Sequence, residues 1–402
     1  MTDFSVRSLA QFCLFALLFA LVPVARAVAE GQNPPADAAP DTLVLSNGDT
    51  LHGKLVKEVG GKVTFHTEPL GDMDIKWDNI KELHTTGNYG VLAKGVKLKG
   101  RNNQGNLPMG TVEVENQEVT VRPPNAAAPA PPIPAKDAEF IIDQKTLDTQ
   151  MHHEPGFLTG WNGGATAGAT LVTATQNQYT VSGALNLTRA VPSVPWLNPR
   201  SRTSADFTGS FGKITQPAYT VGGVFTPAAT SKTAMYHLDG EQDEYLSSRL
   251  FALVQTSFDH NFAQNLQLQQ IYGGGLGLTL FSTPRQQADL KATIQYEKQQ
   301  FILGPPGSNQ NLIGSTFSAD YSLKTRLFTY VQDVAYIPAY NVPRAYSASE
   351  TDTVAFPTYK NLAFSVGTID SYLNDPPASA PPTRRNSFQF TMGLTYAIKS
   401  KY

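Results

Sequence analysis

The sequence predicts an all-β protein: an antiparallel transmembrane β-barrel of about twelve strands, preceded by a small β-domain. Three observations predict it. Long stretches after residue 156 alternate apolar and polar side chains, the period of a strand with one greasy and one wet face. The connections between these stretches alternate between tight turns and longer Pro/Gly-rich loops, as in barrels with short turns on one rim. Charged residues make up only 16% of the chain, below the quarter or so usual for soluble proteins.

The elements follow in order. "MTDFSVRSLAQFCLFALLFALVPVARAVAEGQ" has Arg7, an apolar run from Leu14 to Val24 and small residues at Ala25, Ala27 and Ala29. Residues 1–29 therefore read as a secretory signal peptide, too short in its apolar run to span a bilayer. Cys13, the one cysteine, lies inside it, so the exported chain is expected to carry no thiol, disulfide or cysteine metal site. No other apolar run approaches the ~20 residues of a spanning helix, which leaves barrels untouched by that test. Residues 30–40 form a flexible lead-in.

Residues 41–122 read as a small β-rich domain with an internal repeat. "LSNGDTLHGK" from Leu45 and "LAKGVKLKGR" from Leu92 share L-x-x-G-x-x-L-x-G-[KR]; "GDMDIKWDNI" from Gly71 and "GTVEVENQEV" from Gly110 share G-x-[MV]-[DE]-[IV]. Each copy reads as a bent antiparallel sheet, the second one hairpin poorer, and copies this short must pack together to bury a core. Residues 123–156, entered through "RPPNAAAPAPPIPAK" (122–136), read as a stiff linker followed by a short helix.

Residues 157–402 form the barrel. Twelve strands are expected, at 161–174, 178–190, 202–214, 232–242, 248–258, 267–281, 287–299, 311–323, 327–337, 346–356, 360–373 and 386–399. Most exceed the five or six residues usual in soluble strands and suit a tilted crossing of lipid. "FQFTMGLTYAIKSKY" at the end is the cleanest: Phe388, Phe390, Met392, Leu394, Tyr396 and Ile398 on one face, Gln389, Thr391, Gly393 and Thr395 on the other. "LFALVQTSF" (250–258) is apolar on both faces at its start. "SSR", "TPRQ" and "KTR" are the tight turns; "PSVPWLNPRS", "GPPGSNQN" and "NDPPASAPPTRR" are the longer loops. The soluble alternative, a β-sandwich binding module, needs a second sheet to cover the greasy faces and gives no reason for such long strands.

"FALVQTSFDHNFAQNLQLQQIYGGGLGLTL" (251–280), "YLNDPPASAPPTRRNSFQFTMGLTYAI" (372–398) and "FLTGWNGGATAGATLV" (157–172) together resemble the salt-induced outer-membrane proteins, domain of unknown function 481. The repeated NGD unit resembles the small SH3-like or Sm-like β-domains that precede the barrel in some members. The resemblance implies an outer-membrane barrel and supplies no biochemical activity.

Candidate sites are few. An outer-membrane lipid-modifying enzyme would need Ser, His and Asn together; the barrel offers His237 and His260, with Asn261 next to His260 and Ser257 three residues before it. No phospholipase-type H-x-S-N-G run is present, and "DHNFAQN" reads as a turn. His152-His153-Glu154 lacks a third ligand and reads as solvated linker; Asp49 in Asn47-Gly48-Asp49 reads as turn chemistry. "DGEQDE" (239–244) reads as a solvated acidic loop, with cation binding or pairing to basic residues as the alternatives. "GGGLG" (273–277) has no following Lys-Ser/Thr, so it marks curvature or close packing by a neighbour's large side chain rather than a phosphate loop. Trp161, Tyr179, Tyr296, Tyr321 and Tyr396 are candidates for the aromatic girdles at the lipid–water boundaries.

No catalytic, cofactor-binding or metal-ligating residue is therefore expected. A net charge of −2 provides no global field for nucleic acid, which is not expected as a partner. The expected partners are outer-membrane lipid, the barrel assembly machinery through the C-terminal strand, with Tyr396 or Tyr402 as its recognised aromatic, and a periplasmic partner of the N-terminal domain. The sequence expectation is a non-enzymatic outer-membrane protein, its N-terminal domain in the periplasm, acting as a narrow pore or as a structural or envelope-stress protein.

Overall fold

A computed structural model describes residues 39–96, 98, 107–124, 128–152, 155–173, 177–194, 196–221, 224–283, 285–377 and 385–400. The signal peptide, most of the lead-in, His153, Glu154 and Tyr402 lie outside the described residues. The N-terminal domain contains β1 (Asp41–Leu45), β2 (Thr50–Val59), β3 (Lys62–Thr67), β4 (Gly71–Lys76), β5 (Ile80–His84), β6 (Tyr89–Ala93), β7 (Met109–Glu115), β8 (Glu118–Arg122), β9 (Ile133–Pro134) and β10 (Ala138–Asp143). β1, β5, β7, β6, β10 and β2 pair in turn, and β2 pairs again with β1, so the sheet closes on itself.

The repeat is legible in this ring. β4 begins on the first G-x-[MV]-[DE]-[IV] block and β7 contains the second, and the two copies share one core around Leu43, Val63, Phe65, Leu83 and Val112. Asn47–Asp49 is the expected turn: Gly48 takes φ 91°, and the Asp49 N–H donates to Asn47 Oδ1 at 3.0 Å. The expected linker 123–156 needs correction. Its "AEFIID" becomes β10, inserted between β2 and β6, and β9 pairs with β8. Alternating Phe140 and Ile142 with Ile141 buries both faces of β10, which a reading of the Pro/Ala-rich lead as linker had absorbed. The short helix, α1, is Gln144–His152.

Two buried acids sit in this domain. Asp41 accepts from the N–H groups of Leu55 and Thr86 and from the Tyr89 hydroxyl, and burial beside Asp41 pushes the Tyr89 hydroxyl pKa up. Glu58 is fully buried; its Oε1 accepts from the Gly61 N–H at 2.8 Å and its Oε2 has no partner. Burial pushes its carboxyl up to about 7, against the Gly61 bond and aided by nearby Glu139.

The second unit is a closed antiparallel barrel of twelve strands in sequence order. They are β11 (Trp161–Thr173), β12 (Asn177–Val191), β13 (Ser201–Gln216), β16 (Ala229–Tyr245), β17 (Leu250–Asn261), β18 (Leu266–Ser282), β19 (Gln286–Phe301), β20 (Gln310–Lys324), β21 (Thr329–Ile337), β22 (Ser347–Tyr359), β23 (Leu362–Leu373) and β24 (Asn386–Ile398). A hairpin, β14 (Tyr219–Val221) with β15 (Val224–Thr226), lies in the β13–β16 connection. Every expected strand is present, with ends shifted by at most three residues. β24 closes onto β11, pairing Tyr396 with Ala165. None of the described helices is long and apolar enough to cross a membrane.

The rim that carries Trp161 and Ile398 is called the near rim. It carries the tight turns 246–249, 283–285, 325–328 and 360–361; the far rim carries 302–309, 338–346 and 374–385. "PSVPWLNPRS" departs from this pattern. Its length and Pro content point to the long-loop rim, but it connects β12 to β13 at the near rim. It is long because it docks the N-terminal domain. Trp196 and Leu197 are buried with Leu92, Phe140, Ile142, Leu147 and Met151, the Leu98 N–H donates to Trp196 O at 3.1 Å, and Arg200 donates to the carbonyls of Gln150 and Met151 at the end of α1.

Candidate functional site: the barrel lumen

The outer wall has the profile of a barrel in lipid. Leu185, Phe207, Val254, Leu276, Ile294, Phe317, Phe364, Met392 and Leu394 lie exposed on it. Aromatic side chains flank this band at both ends. Near-rim examples are Phe281–Tyr321 (6.4 Å between ring centroids) and Tyr321–Tyr330 (6.2 Å); far-rim examples are Tyr179–Phe211 (6.1 Å) and Tyr336–Tyr346 (6.0 Å). Such rings suit the two lipid–water boundaries. Of the five girdle candidates, Tyr321 and Tyr396 stand near one rim with Trp161, whose Nε1–H donates to Phe157 O, and Tyr179 and Tyr296 stand towards the other.

The polar parity turns inward and builds two unlike walls. On β22–β24 and β11 the inward positions are small: Ser349, Thr353, Ser365, Gly393, Thr395 and Thr166 are representative, with Thr395 bonded to both Ser365 and Thr166 at 2.7 Å. On β13–β20 they include the charged and amide-bearing side chains. Arg202 on β13 donates to Asp243 on β16 and to Asp289 on β19, each at 2.6 Å. β13 and β19 stand four strands apart, so this bridge is a chord across the lumen at its near end. The Phe251 ring lies under it, 5.2 Å from the guanidinium carbon. Lys291 on β19 donates to Glu241 and Asp320, both at 2.6 Å. Higher up, Glu297 is buried and accepts from Gln269 (2.5 Å) and Gln299 (2.6 Å). At the far mouth, the single 3-10 turn Phe262–Gln264 reaches the opposite wall: Gln264 Nε2 donates to the carbonyls of Ser371 and Arg385, both at 2.9 Å.

The sequence candidates distribute as follows. Ser257 and Asn261 point inward, while His260 points outward, stacked on Tyr236 at 5.1 Å, so these three do not meet. His237 points inward and pairs with Asp259 at 2.6 Å. Asn261 makes the expected turn, its Oδ1 accepting from the N–H groups of Ala263 and Gln264. His152 ends α1, its Nδ1 3.1 Å from Asp148 O. "DGEQDE" is corrected: it is not a solvated loop but the near half of β16, its Asp239, Glu241 and Asp243 turned into the lumen. The alternative of pairing with basic residues is the one realised for Glu241 and Asp243. "GGGLG" carries the expected meaning, since Gly277 faces the Phe251 ring. Arg202 and Lys291 were not singled out in the sequence; the signal available was that each sits on the polar parity of a long strand, where a lone base needs acids from neighbouring strands.

Among known proteins, the family described as "Protein of unknown function, DUF481" matches residues 165–398. The chain belongs to this family. No curated protein matches it. Among solved structures it is similar to a bacterial polysaccharide outer membrane secretin, at 8% identity over 60% of this chain and 98% of that one, with a TM-score of 0.28. It is also similar to the translocator domain of the autotransporter NalP from Neisseria meningitidis, at 8% identity over 63% and 92%, with a TM-score of 0.23. The CymD monoaromatic hydrocarbon channel is similar at 8% identity over 78% and 88%, with a TM-score of 0.24. None of these likenesses extends to function.

Proposed function

We propose that this DUF481 protein is a non-enzymatic outer-membrane barrel whose lumen is a narrow polar passage, with the N-terminal β-domain in the periplasm. The observation that carries the reading is the pairing of unlike inner walls. A salt-bridged wall on β13–β20 faces a wall of Ser, Thr and Gly on β22–β24 and β11, so polar side chains rather than a packed apolar core line the inner face. His237 and Asp259 face this space and keep 44% and 28% of their side-chain surface accessible. The girdled apolar outer face supports a membrane location, and both barrel ends on one rim support a periplasmic N-terminal domain.

The non-enzymatic reading is supported by the opposite facing of Ser257 and His260. Lipid is the partner that fits the outer face. The assembly machinery is proposed to read β24, whose Phe388, Phe390, Met392, Leu394 and Tyr396 are all more than half exposed. The exposed outer faces of the N-terminal sheet are where a periplasmic partner would meet that domain. Membrane fractionation with single-channel recording tests the reading: outer-membrane recovery, heat-modifiable gel mobility and small discrete conductances are expected. A protein that stays soluble without detergent would overturn the barrel location, a folded barrel with no conductance the passage, and fatty-acid release lost in His260→Ala the non-enzymatic reading.

A further inference from the structure

The inward parity of the barrel carries an unbalanced charge. Among the described strand residues, nine carboxylates face the lumen; the inward bases are Arg202, Lys291 and, at the rim, Lys324, with His237 beside them. Arg202 and Lys291 account for Asp243, Asp289, Glu241 and Asp320. Asp206 and Asp239 remain, directly opposite each other on β13 and β16, and Asp333 stands opposite Asp320 on β21 and β20. These four lie four to six residues in from the near rim. Asp333 is solvent-exposed inside the lumen and within electrostatic reach of Asp206 and Asp239.

Like charges directly opposite on neighbouring strands repel. Such pairs persist where mobile counter-charge relieves them. A second observation, just below the four, points the same way. Asp243 is fully buried, its Oδ1 has no hydrogen-bond donor, and the Glu241 carboxylate adjoins it. Arg202 reaches Asp243 only through Oδ2, so the charge on its Oδ1 stays without a direct partner. Among the described residues no three His, Cys, Asp or Glu are close enough to cage a metal ion. Spread carboxylates hold a cation weakly, as conduction requires: attraction strong enough to enter and weak enough to leave.

We infer that the lumen is a cation-selective passage, discriminating through the ring of Asp206, Asp239, Asp320 and Asp333. This rests on the pore reading above and names the class of solute that crosses. The small-residue wall opposite supplies the path, and a low-dielectric barrel focuses the field of the ring onto it.

The test is the reversal potential of the full-length protein in planar bilayers under a KCl gradient, with heat-modifiable mobility confirming the folded barrel. The wild type should pass potassium well ahead of chloride. The variant D206N/D239N/D333N should lower the potassium-to-chloride ratio roughly threefold or more, and K291Q should raise it. D333N alone, at a ring position with no basic partner, should show the same direction if the triple variant does not assemble. A folded wild type without conductance removes the pore reading and this inference together. Conductance with a ratio at or below one keeps the pore and overturns the cation preference. A cation-preferring wild type whose ratio is unchanged in D333N and in the triple variant overturns the ring as its source.

Discussion

The Phe251 ring packs against Gly277 on the neighbouring strand: a Cβ at 277 would sit 2.1 Å from Phe251 Cζ. Phe251 is fully buried beneath Arg202 and has no room to retreat. Gly277→Ala should therefore destabilise the barrel by about 1–3 kcal/mol, the cost of overpacking. Phe251→Leu on top of it should recover part of that loss, because the two substitutions share one contact. Urea midpoints of the refolded barrel in micelles check both values; equal midpoints for wild type and Gly277→Ala would refute the contact.

Among the described residues, Arg202 is the one base that reaches both Asp243 and Asp289. Arg202→Met leaves two buried carboxylates without their cation, a change of roughly 3–5 kcal/mol. Asp243→Asn with Asp289→Asn in the same chain should restore much of the stability, since neutral amides tolerate the site. The temperature at which the folded gel band converts to the unfolded one reads the order: wild type highest, Arg202→Met lowest, the triple variant between.

The wall of the barrel was legible because lipid outside and water inside impose period two on every strand, and "FQFTMGLTYAIKSKY" states that period with two exceptions, Ala397 and Ser400. The lumen was less legible for the same reason. Parity tells which way Asp243 and Lys291 point but not which of eleven other strands supplies their partners, and "DGEQDE" has the composition of a loop when its partners, tens of residues away, are out of sight. β10 was hidden by the Pro-rich stretch before it, and the near-rim position of "PSVPWLNPRS" by its length, which only the docking of Trp196 explains.

Trp196 should be the anchor of the N-terminal domain on the barrel. It is 4% exposed in the cluster with Leu147 and Met151. Trp196→Ala should weaken that docking by about 3–5 kcal/mol, the range for truncating a buried large aromatic. Limited proteolysis should then cut between α1 and β11 much faster, while the barrel keeps its heat-modifiable mobility. Equal cutting rates in both proteins would show that the domain is held by other contacts.

Glu58 makes the stability of the N-terminal domain depend on pH. Its folded pKa, about 7, lies above the ordinary 4.5, so the folded state holds the proton more tightly than the unfolded chain. Its contribution is therefore full below about 4.5, falls as pH rises, and is lost once the folded carboxyl has ionised above about 7. Each pH unit inside the window removes ~1.4 kcal/mol at most, and the whole window about 3 kcal/mol. Glu58→Gln keeps an oxygen for the Gly61 N–H and cannot ionise. The variant should match the wild type within about 1 kcal/mol near pH 4.5 and exceed it by about 3 kcal/mol at pH 8. Urea unfolding of the N-terminal domain in the intact protein, followed through Trp77 fluorescence with Trp161 and Trp196 replaced by Phe, measures the difference. A wild-type midpoint that is flat from pH 4.5 to 8 would mean that Glu58 ionises in the folded domain as it does in water.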